Sequence, residues 1–283
     1  MATVDVITNR SSGTETLGKA YFETDTNSFI VYNGSGWVEL QSDGTGAAAP
    51  FSQYSVEFDG ANDYIDAGIS SDYDIASGGS YSIWFNQANN AGSERLIVYA
   101  SGTSSSWAPS YSAWGYSLYR YGNRLGIFWA AGGSQNSADQ TFNAGWNHAV
   151  LTYDSTTAKV YLNGNTTPIV SVSATSGTSG SHKLYFGLGE DANTNFEGKL
   201  DEVAYFSSAL STSDITDIYN SGVPTDISSL NPVGYWRMGD NDSGTGTTIT
   251  DQGVDSNGAP SGNDASLVNG PTFVSGTGNT PGN

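Results

Sequence analysis

Along most of the chain apolar and polar residues alternate in short runs, and clusters of Gly, Asn, Asp and Ser separate those runs. A period of two puts successive side chains on opposite faces of a strand, so this rhythm predicts an all-β protein. Tyr81, Ile83 and Phe85 share one face of such a strand, and Ser82, Trp84 and Asn86 share the other. Residues 55–60, 146–153, 183–189 and 199–206 continue the pattern. Residues 116–121 and 124–129 flank Gly122-Asn123, which predicts a two-residue hairpin. Residues 159–162 run into Asn163-Gly164, whose tolerance of positive φ fits a type I′ turn and predicts a second hairpin. The period changes once. Ser211-Thr212-Ser213-Asp214 has the spacing of a capping box, Ile215, Ile218 and Tyr219 form an apolar stripe, and Gly222 with Pro224 ends it. A helix this short is expected to lie over one end of a β-sandwich.

The spacing of turn signals divides the chain. Residues 1–42 carry three short strands, 19–24, 28–32 and 37–40, separated by Asp25-Thr26-Asn27 and Asn33-Gly34-Ser35-Gly36. A meander of this size buries too little to be stable alone. It is therefore expected to associate with copies of itself through positions such as Phe29, Val31 and Val38, or to dock on another protein. Residues 43–50 read as a linker, residues 51–275 as the main domain, and residues 276–283 as a flexible tail.

Composition narrows the function. The hydrophobic share of 37% and aromatic share of 12% are too high for a disordered chain, although 36 of the 283 residues are Gly. With 28 acidic residues against 9 basic ones the formal charge is −19. Neutralising phosphates takes clustered Lys and Arg, and the most basic stretch, 120–124, holds only Arg120 and Arg124. Nucleic acid and anionic lipid are excluded as partners. No run is apolar and long enough to insert in a membrane, and the first residues have neither the basic nor the apolar region of a secretion signal. The absence of Cys removes disulfides, thiolate catalysis and thiolate metal sites together.

Several motifs now carry a resemblance. Ser55-Val56-Glu57-Phe58-Asp59-Gly60-Ala61-Asn62-Asp63-Tyr64-Ile65, Trp146-Asn147-His148-Ala149-Val150, Val160-Tyr161-Leu162-Asn163-Gly164 and Gly198-Lys199-Leu200-Asp201-Glu202-Val203-Ala204-Tyr205-Phe206 closely resemble the laminin G-like, concanavalin A-like lectin/glucanase family. The resemblance covers about residues 51–275 and implies a jelly-roll β-sandwich. One departure stands out. In the family a Trp strand and an Asp…Gly-Asn-Asp loop precede the Phe-Asp-Gly strand, whereas here Tyr235-Trp236-Arg237-Met238 and Asp251…Gly262-Asn263-Asp264 follow the helix. Either the domain is circularly permuted, with residues 231–275 supplying that strand, or a second unit begins there. Permutation is favoured, because an orphan strand would expose Trp236 and Met238. Separately, Ala20-Tyr21-Phe22-Glu23-Thr24 and Ile30-Val31-Tyr32-Asn33-Gly34-Ser35-Gly36-Trp37 resemble the β-meander near the N-termini of tail-fibre and other virion proteins of bacteriophages, marine ones especially.

The resemblance implies chemistry to be weighed residue by residue. The glucanases of the fold carry alternating acids on one strand, but here Glu197, Lys199 and Asp201 would share a face with Lys in the middle, and Glu202 would point away. No hydrolase is expected. His148 and His182 are the only imidazoles, and His148 reads as structural. Calcium is the expected cofactor, with Asp251, Asn263 and Asp264 as ligands and Asp201 as a partner; the alternative is that these residues brace Asx turns. Trp107, Tyr111 and Trp114, in the irregular stretch 104–115, are the candidate glycan-stacking residues, although a stretch wrapped back over the sandwich or buried between subunits would explain them equally. The functional expectation is a non-enzymatic virion protein, a tail fibre or capsid decoration. It would be assembled in the host cytoplasm and released by lysis, anchored to other virion proteins by its N-terminal block, and trimeric, with a glycan as the outward-facing ligand. A bacterial surface adhesin is the alternative.

Overall fold

The structure is a computed structural model that describes residues 51–69, 73–75, 78–88, 92–100, 114–129, 133–174, 182–189, 194–276 and 280–281, together with four short strands before residue 50. The chain divides into two compact units, Met1–Pro50 and Phe51–Asn283. In the first, β1 (Asp5–Ile7), β2 (Ala20–Glu23), β3 (Ser28–Tyr32) and β4 (Trp37–Leu40) form one sheet in chain order. β2, β3 and β4 are the antiparallel meander that the turn signals predict. β1 is an addition: it runs parallel to β2, with Val6 opposite Phe22. A strand of three residues is too short to show a period, so the sequence gives no sign of it.

The second unit holds β5 (Tyr54–Asp59), β6 (Tyr64–Ile69), β7 (Gly79–Gln87), β8 (Ser93–Ala100), β9 (Trp114–Tyr121), β10 (Arg124–Trp129), β11 (Gly133–Asn136), β12 (Asn147–Tyr153), β13 (Thr157–Leu162), β14 (Val170–Ser173), β15 (Lys183–Phe186) and β16 (Glu197–Phe206). After these come α1 (Thr212–Tyr219), β17 (Gly234–Trp236), β18 (Thr248–Ile249), β19 (Ala265–Val268) and β20 (Thr272–Ser275). Two antiparallel sheets result. One has the order β14-β13-β12-β7-β16-β5-β20 with β17 also on β16, and the other has the order β11-β10-β9-β8-β15-β6-β19-β18. Together they make a jelly-roll sandwich.

The alternation in sequence is the alternation in space. Tyr81, Ile83 and Phe85 of β7 face inward and join Tyr99 of β8, Tyr116 of β9, Trp129 of β10 and Leu200 of β16 in one core cluster. Many of the buried aromatic residues sit here, and the hydroxyls of Tyr81 and Tyr116 are satisfied internally. The Tyr81 and Tyr116 hydroxyls lie 2.7 Å apart, and both reach the carbonyl of Tyr73, which ties that connecting segment into the core. Burial raises both phenols well above their ordinary range, so they remain protonated donors.

Two local expectations change. The Gly122-Asn123 hairpin forms as predicted between β9 and β10. Asn163 and Gly164 do take positive φ (50° and 68°), but β13's partner β14 begins only at Val170, so they open a longer loop. The reason is α1: a Cβ on Gly164 would stand 2.5 Å from the Tyr219 ring, so the turn is shaped to fit beneath the helix. The helix itself has the predicted capping box between Ser211 and Asp214. It does not cap one end of the sandwich but covers the outer face of a sheet, where Ile215 meets Val150 and Tyr161, Ile218 meets Ala204 and Phe206, and Tyr219 stacks on Trp84. That cover explains why Trp84, on the nominally polar face of β7, is buried.

Residues 231–275 complete both sheets. β17 pairs with β16, β19 with β6 and β20 with β5, setting Trp236 opposite Val203, Leu267 opposite Ile65 and Phe273 opposite Val56. Trp236, Met238, Ile249 and Ala265 belong to the main core cluster. Thr280 is fully buried, contrary to the free tail expected for 276–283. Losing a buried Trp alone costs about 3–5 kcal/mol, against a net stability of roughly 5–15 kcal/mol for a whole domain. A chain ending at Gly222 is therefore expected to lose its cooperative thermal transition by calorimetry; retention of the full-length melting temperature would refute this account of the segment.

Candidate functional site

At one end of the sandwich two open clefts, each of about 400 Å³, meet at Ala88, which lines both. Volumes of this size are within the usual range of small-ligand sites. The first cleft is lined by Gln87, Asn123, Gln140, Thr141 and Asn143, with Phe142 as its aromatic element, and none of its described lining residues is charged. Phe142 meets Phe85 edge-on, with ring centroids 5.9 Å apart, and so joins the cleft to the core. Asn147, the fully buried first residue of β12, fixes the loop before it. Its Nδ2 donates to the carbonyls of Asn143 and Gly145, and its Oδ1 accepts from the Asn143 amide at 2.8 Å and from Asn163 Nδ2 at 3.0 Å. The Gln140 amide donates to the carbonyl of Asn123, tying the loop to the β9–β10 hairpin. Tyr121, at the foot of that hairpin, is 53% exposed.

The second cleft is acidic. Glu57, Asp59, Asp63 and Glu197 line it with Asn269 and Gly270. The Phe58-Asp59-Gly60 motif has a local explanation here. Asp59 Oδ1 accepts from the amides of Ala61 and Asn62, closing the turn. Gly60 has φ 75°, and a Cβ there would stand 2.9 Å from the Glu197 Cβ. The turn therefore needs glycine for its backbone and for the close approach of β16.

A second group of acids is buried away from these clefts. Asp201 and Glu202 do not alternate across β16, as the sequence reading expected. The register with β7 shifts between Asp201 and Ala204, and Glu202 has φ 45°, which is a β-bulge. The bulge turns both carboxylates toward Asp240, and the three have oxygens within 4.8 Å of one another. Arg237 supplies the cation, with Nε 3.2 Å from Glu202 and a terminal nitrogen 3.4 Å from Asp240, and its guanidinium lies 3.8 Å over the ring of Phe51. The Tyr235 hydroxyl donates to Glu202, the Ser52 hydroxyl to Asp201 at 2.5 Å, and the Gln53 amide to Asp240 at 2.7 Å. Burial pushes the Glu202 carboxyl up to about 7 against the pull of Arg237, and raises Asp201 and Asp240 as well.

The four expected calcium ligands do not converge. Asp251 accepts from the amides of Tyr235, Gly253 and Asn263 and from the Ser261 hydroxyl, which occupies the acceptor sites of its carboxylate. Asp264 accepts from the Asp251 amide, and the Asn263 carbonyl accepts from the Trp236 indole at 3.0 Å. These three brace a loop over β17, while Asp201 belongs to the Arg237 cluster. Of these, the carboxylate of Asp251 is the one whose acceptor sites are all engaged. Trp107 and Tyr111 lie outside the described residues, and Trp114 is the first residue of β9 rather than part of an irregular stretch. Sequence reasoning missed Tyr121, although a Tyr placed against a hairpin turn is a readable sign of an exposed ring. His148 is structural: fully buried, it lies 2.7 Å from the Ser82 hydroxyl beside the Trp84 ring, and burial holds it down to about 3, hence neutral.

The raised Glu202 carboxyl has a consequence for stability. It binds its proton more tightly in the folded chain than in the unfolded one, so the stabilisation is present in full below about pH 4.5 and is lost as pH rises through about 7. The window corresponds to roughly 3 kcal/mol. His148 acts in the opposite sense, losing stability as pH falls below the ordinary His range. Comparison with Glu202→Gln at each pH cancels that contribution. The unfolding free energy of the unaltered chain relative to Glu202→Gln should fall between pH 5 and pH 8 in urea titrations; a difference independent of pH would refute the assignment.

Comparisons with known proteins follow the fold. Among solved structures, a Bacteroides ovatus protein assigned as carbohydrate-binding superposes with a TM-score of 0.55 at 16% identity, covering 94% of this chain and 71% of its own. The CBM40 of Ruminococcus gnavus IT-sialidase, solved with α2,3-sialyllactose, gives 0.48 at 13% identity, covering 58% of this chain and 96% of its own. At these identities the likeness is one of fold. A search of curated protein sequences finds no match. The family model Laminin_G_3, of the concanavalin A-like lectin/glucanases superfamily, matches residues 59–216. The strand order, the Phe-Asp-Gly turn and the Asp201-Glu202 bulge all fall within or beside that match, and the protein belongs to the concanavalin A-like lectin/glucanases superfamily.

Proposed function

We propose that the chain is a non-catalytic glycan-binding module and that residues 1–42 carry it on a bacteriophage virion. The observation that carries the binding reading is the open cleft of amide and hydroxyl side chains around Phe142, none of whose described lining residues is charged, together with the exposed Tyr121 two residues along the chain from its lining residue Asn123. An aromatic face stacks on the C–H groups of a sugar, and amides donate to and accept from its hydroxyls. The fold shared with the B. ovatus protein assigned as carbohydrate-binding agrees with this. In favour of a non-catalytic role, Asp201 and Glu202, the acids on the strand where glucanases of the fold place theirs, are sealed in the interior and held by Ser52, Tyr235 and Arg237. The virion role rests on the sequence of the first block. Its sheet ends in two edge strands, β1 and β4, that offer backbone groups for pairing with further copies or with other virion proteins, and a trimer is the arrangement proposed.

Two measurements test this. Tyr121→Ala and Gln140→Ala should each weaken binding to the best ligand of a glycan array by about tenfold, the loss expected for contacts worth about 1.4 kcal/mol in total, without changing the melting temperature. Unaltered binding in both would remove the site. Mass spectrometry of purified virions should find the protein; its absence from particles would transfer the same glycan-binding module to a bacterial surface adhesin.

A further inference from the structure

The loop that supplies most of the described lining of the first cleft has no regular structure of its own. Gln140, Thr141, Phe142, Asn143 and Ala144 all come from residues 137–146, between β11 and β12. One buried side chain sets its position. The Asn147 amide makes a full complement of four hydrogen bonds, two donated to the carbonyls of Asn143 and Gly145 and two accepted from the Asn143 amide and Asn163 Nδ2. Asn163 is held as firmly from the other side. Its backbone amide donates to the His148 carbonyl at 2.8 Å, one rung beyond the Ala149–Leu162 pair of the β12–β13 ladder. The returning bond, from the His148 amide, goes to the side-chain Oδ1 of Asn163 at 2.8 Å, where the Asn163 backbone has turned out of the strand at φ 50°. That turn is seated beneath α1. Gly164 leaves no room for a Cβ against the Tyr219 ring, Thr216 Oγ1 donates to the Gly164 carbonyl at 3.3 Å, and Tyr219 is itself stacked on Trp84.

We infer that Asn163 and Asn147 form a relay through which the docking of α1 on the outer face of its sheet sets the glycan cleft at the rim, which makes both asparagines positioning residues for binding. This rests on the glycan-binding reading. Coupling between separated groups is carried by contiguous packed side chains and hydrogen bonds, and every link here has a fixed sense. Both Oδ1 atoms face N–H groups and Asn147 Nδ2 faces carbonyls, so neither amide can turn over without setting like against like. A rim loop already held in its binding shape gives up less freedom when a saccharide arrives. Loosening the relay raises that loss and weakens binding, although no group that lines the cleft has been changed.

The test uses the full chain, a printed array of plant, bacterial and animal oligosaccharides read as dissociation constants, and amide hydrogen exchange by NMR. Asn163→Asp keeps an acceptor for the His148 amide but sets a carboxylate oxygen against Asn147 Oδ1. Tyr219→Ala empties the seat over Gly164, and Tyr219→Phe keeps it. Leu267→Ala, on β19 and packed against the main core, is the control for lost stability alone. Asn163→Asp and Tyr219→Ala should each weaken binding about five- to tenfold and speed exchange at the Asn143 amide, which Asn147 Oδ1 accepts. Tyr219→Phe should behave as the unaltered chain, and Leu267→Ala should lower the melting temperature with neither effect. Should Asn163→Asp fail to fold, Tyr219→Ala decides alone. Unchanged affinity, weaker binding without faster exchange at Asn143, or equal weakening in Leu267→Ala overturns the relay and leaves the cleft standing as a glycan site. An unaltered chain that binds nothing on the array removes the glycan-binding reading, and the relay's part in binding with it.

Discussion

The second unit depends on how β16 uses one of its edges. Along the other edge β16 pairs with β7, but on this side it pairs first with β5, through Glu197–Leu200, and then with β17, through Val203–Tyr205. Two strands cannot share an edge without a break between them. The break is the bulge at Asp201 and Glu202, whose extra residue changes the register and turns two consecutive carboxylates into one small volume. Buried acids so close are costly unless neutralised. Arg237 and the raised affinity of Glu202 for its proton do this, with Ser52 and Tyr235 completing the hydrogen bonds. The cluster joins the first residues of the sandwich, the β16 bulge and the C-terminal strands, so the ends of this unit close on each other through it.

That arrangement separates two kinds of polar group. Those that serve the fold are tied into it: Asp251 holds four donors, and Asn147 holds its loop from both ends of its amide. Those at the rim, the amides around Phe142 and the acids around Gly270, line open space. Function in a sandwich of this type falls to the rim loops because the sheets themselves are filled by interlocking aromatic side chains and leave no room for a ligand.

The sequence by itself determined the all-β class, the inward face of β7, the Gly122-Asn123 hairpin and the capping box of α1, because each depends on residues close in the chain. The period of two, the φ preferences of Gly and Asn, and the reach of Ser211 to Asp214 are local properties that leave a local trace. Only the tertiary structure decided what crosses between elements. Nothing in the spacing of Asp201 and Glu202 marks a bulge, since the bulge arises from two partner strands meeting on one edge. Asp251, Asn263 and Asp264 look in sequence like oxygen donors awaiting a cation, and whether their lone pairs are free depends on Tyr235, Ser261 and Trp236 arriving from β17 and its loop. Hydrogen-bond saturation and burial are properties of all neighbours at once, and those neighbours are set by the packing of two sheets rather than by any stretch of the chain.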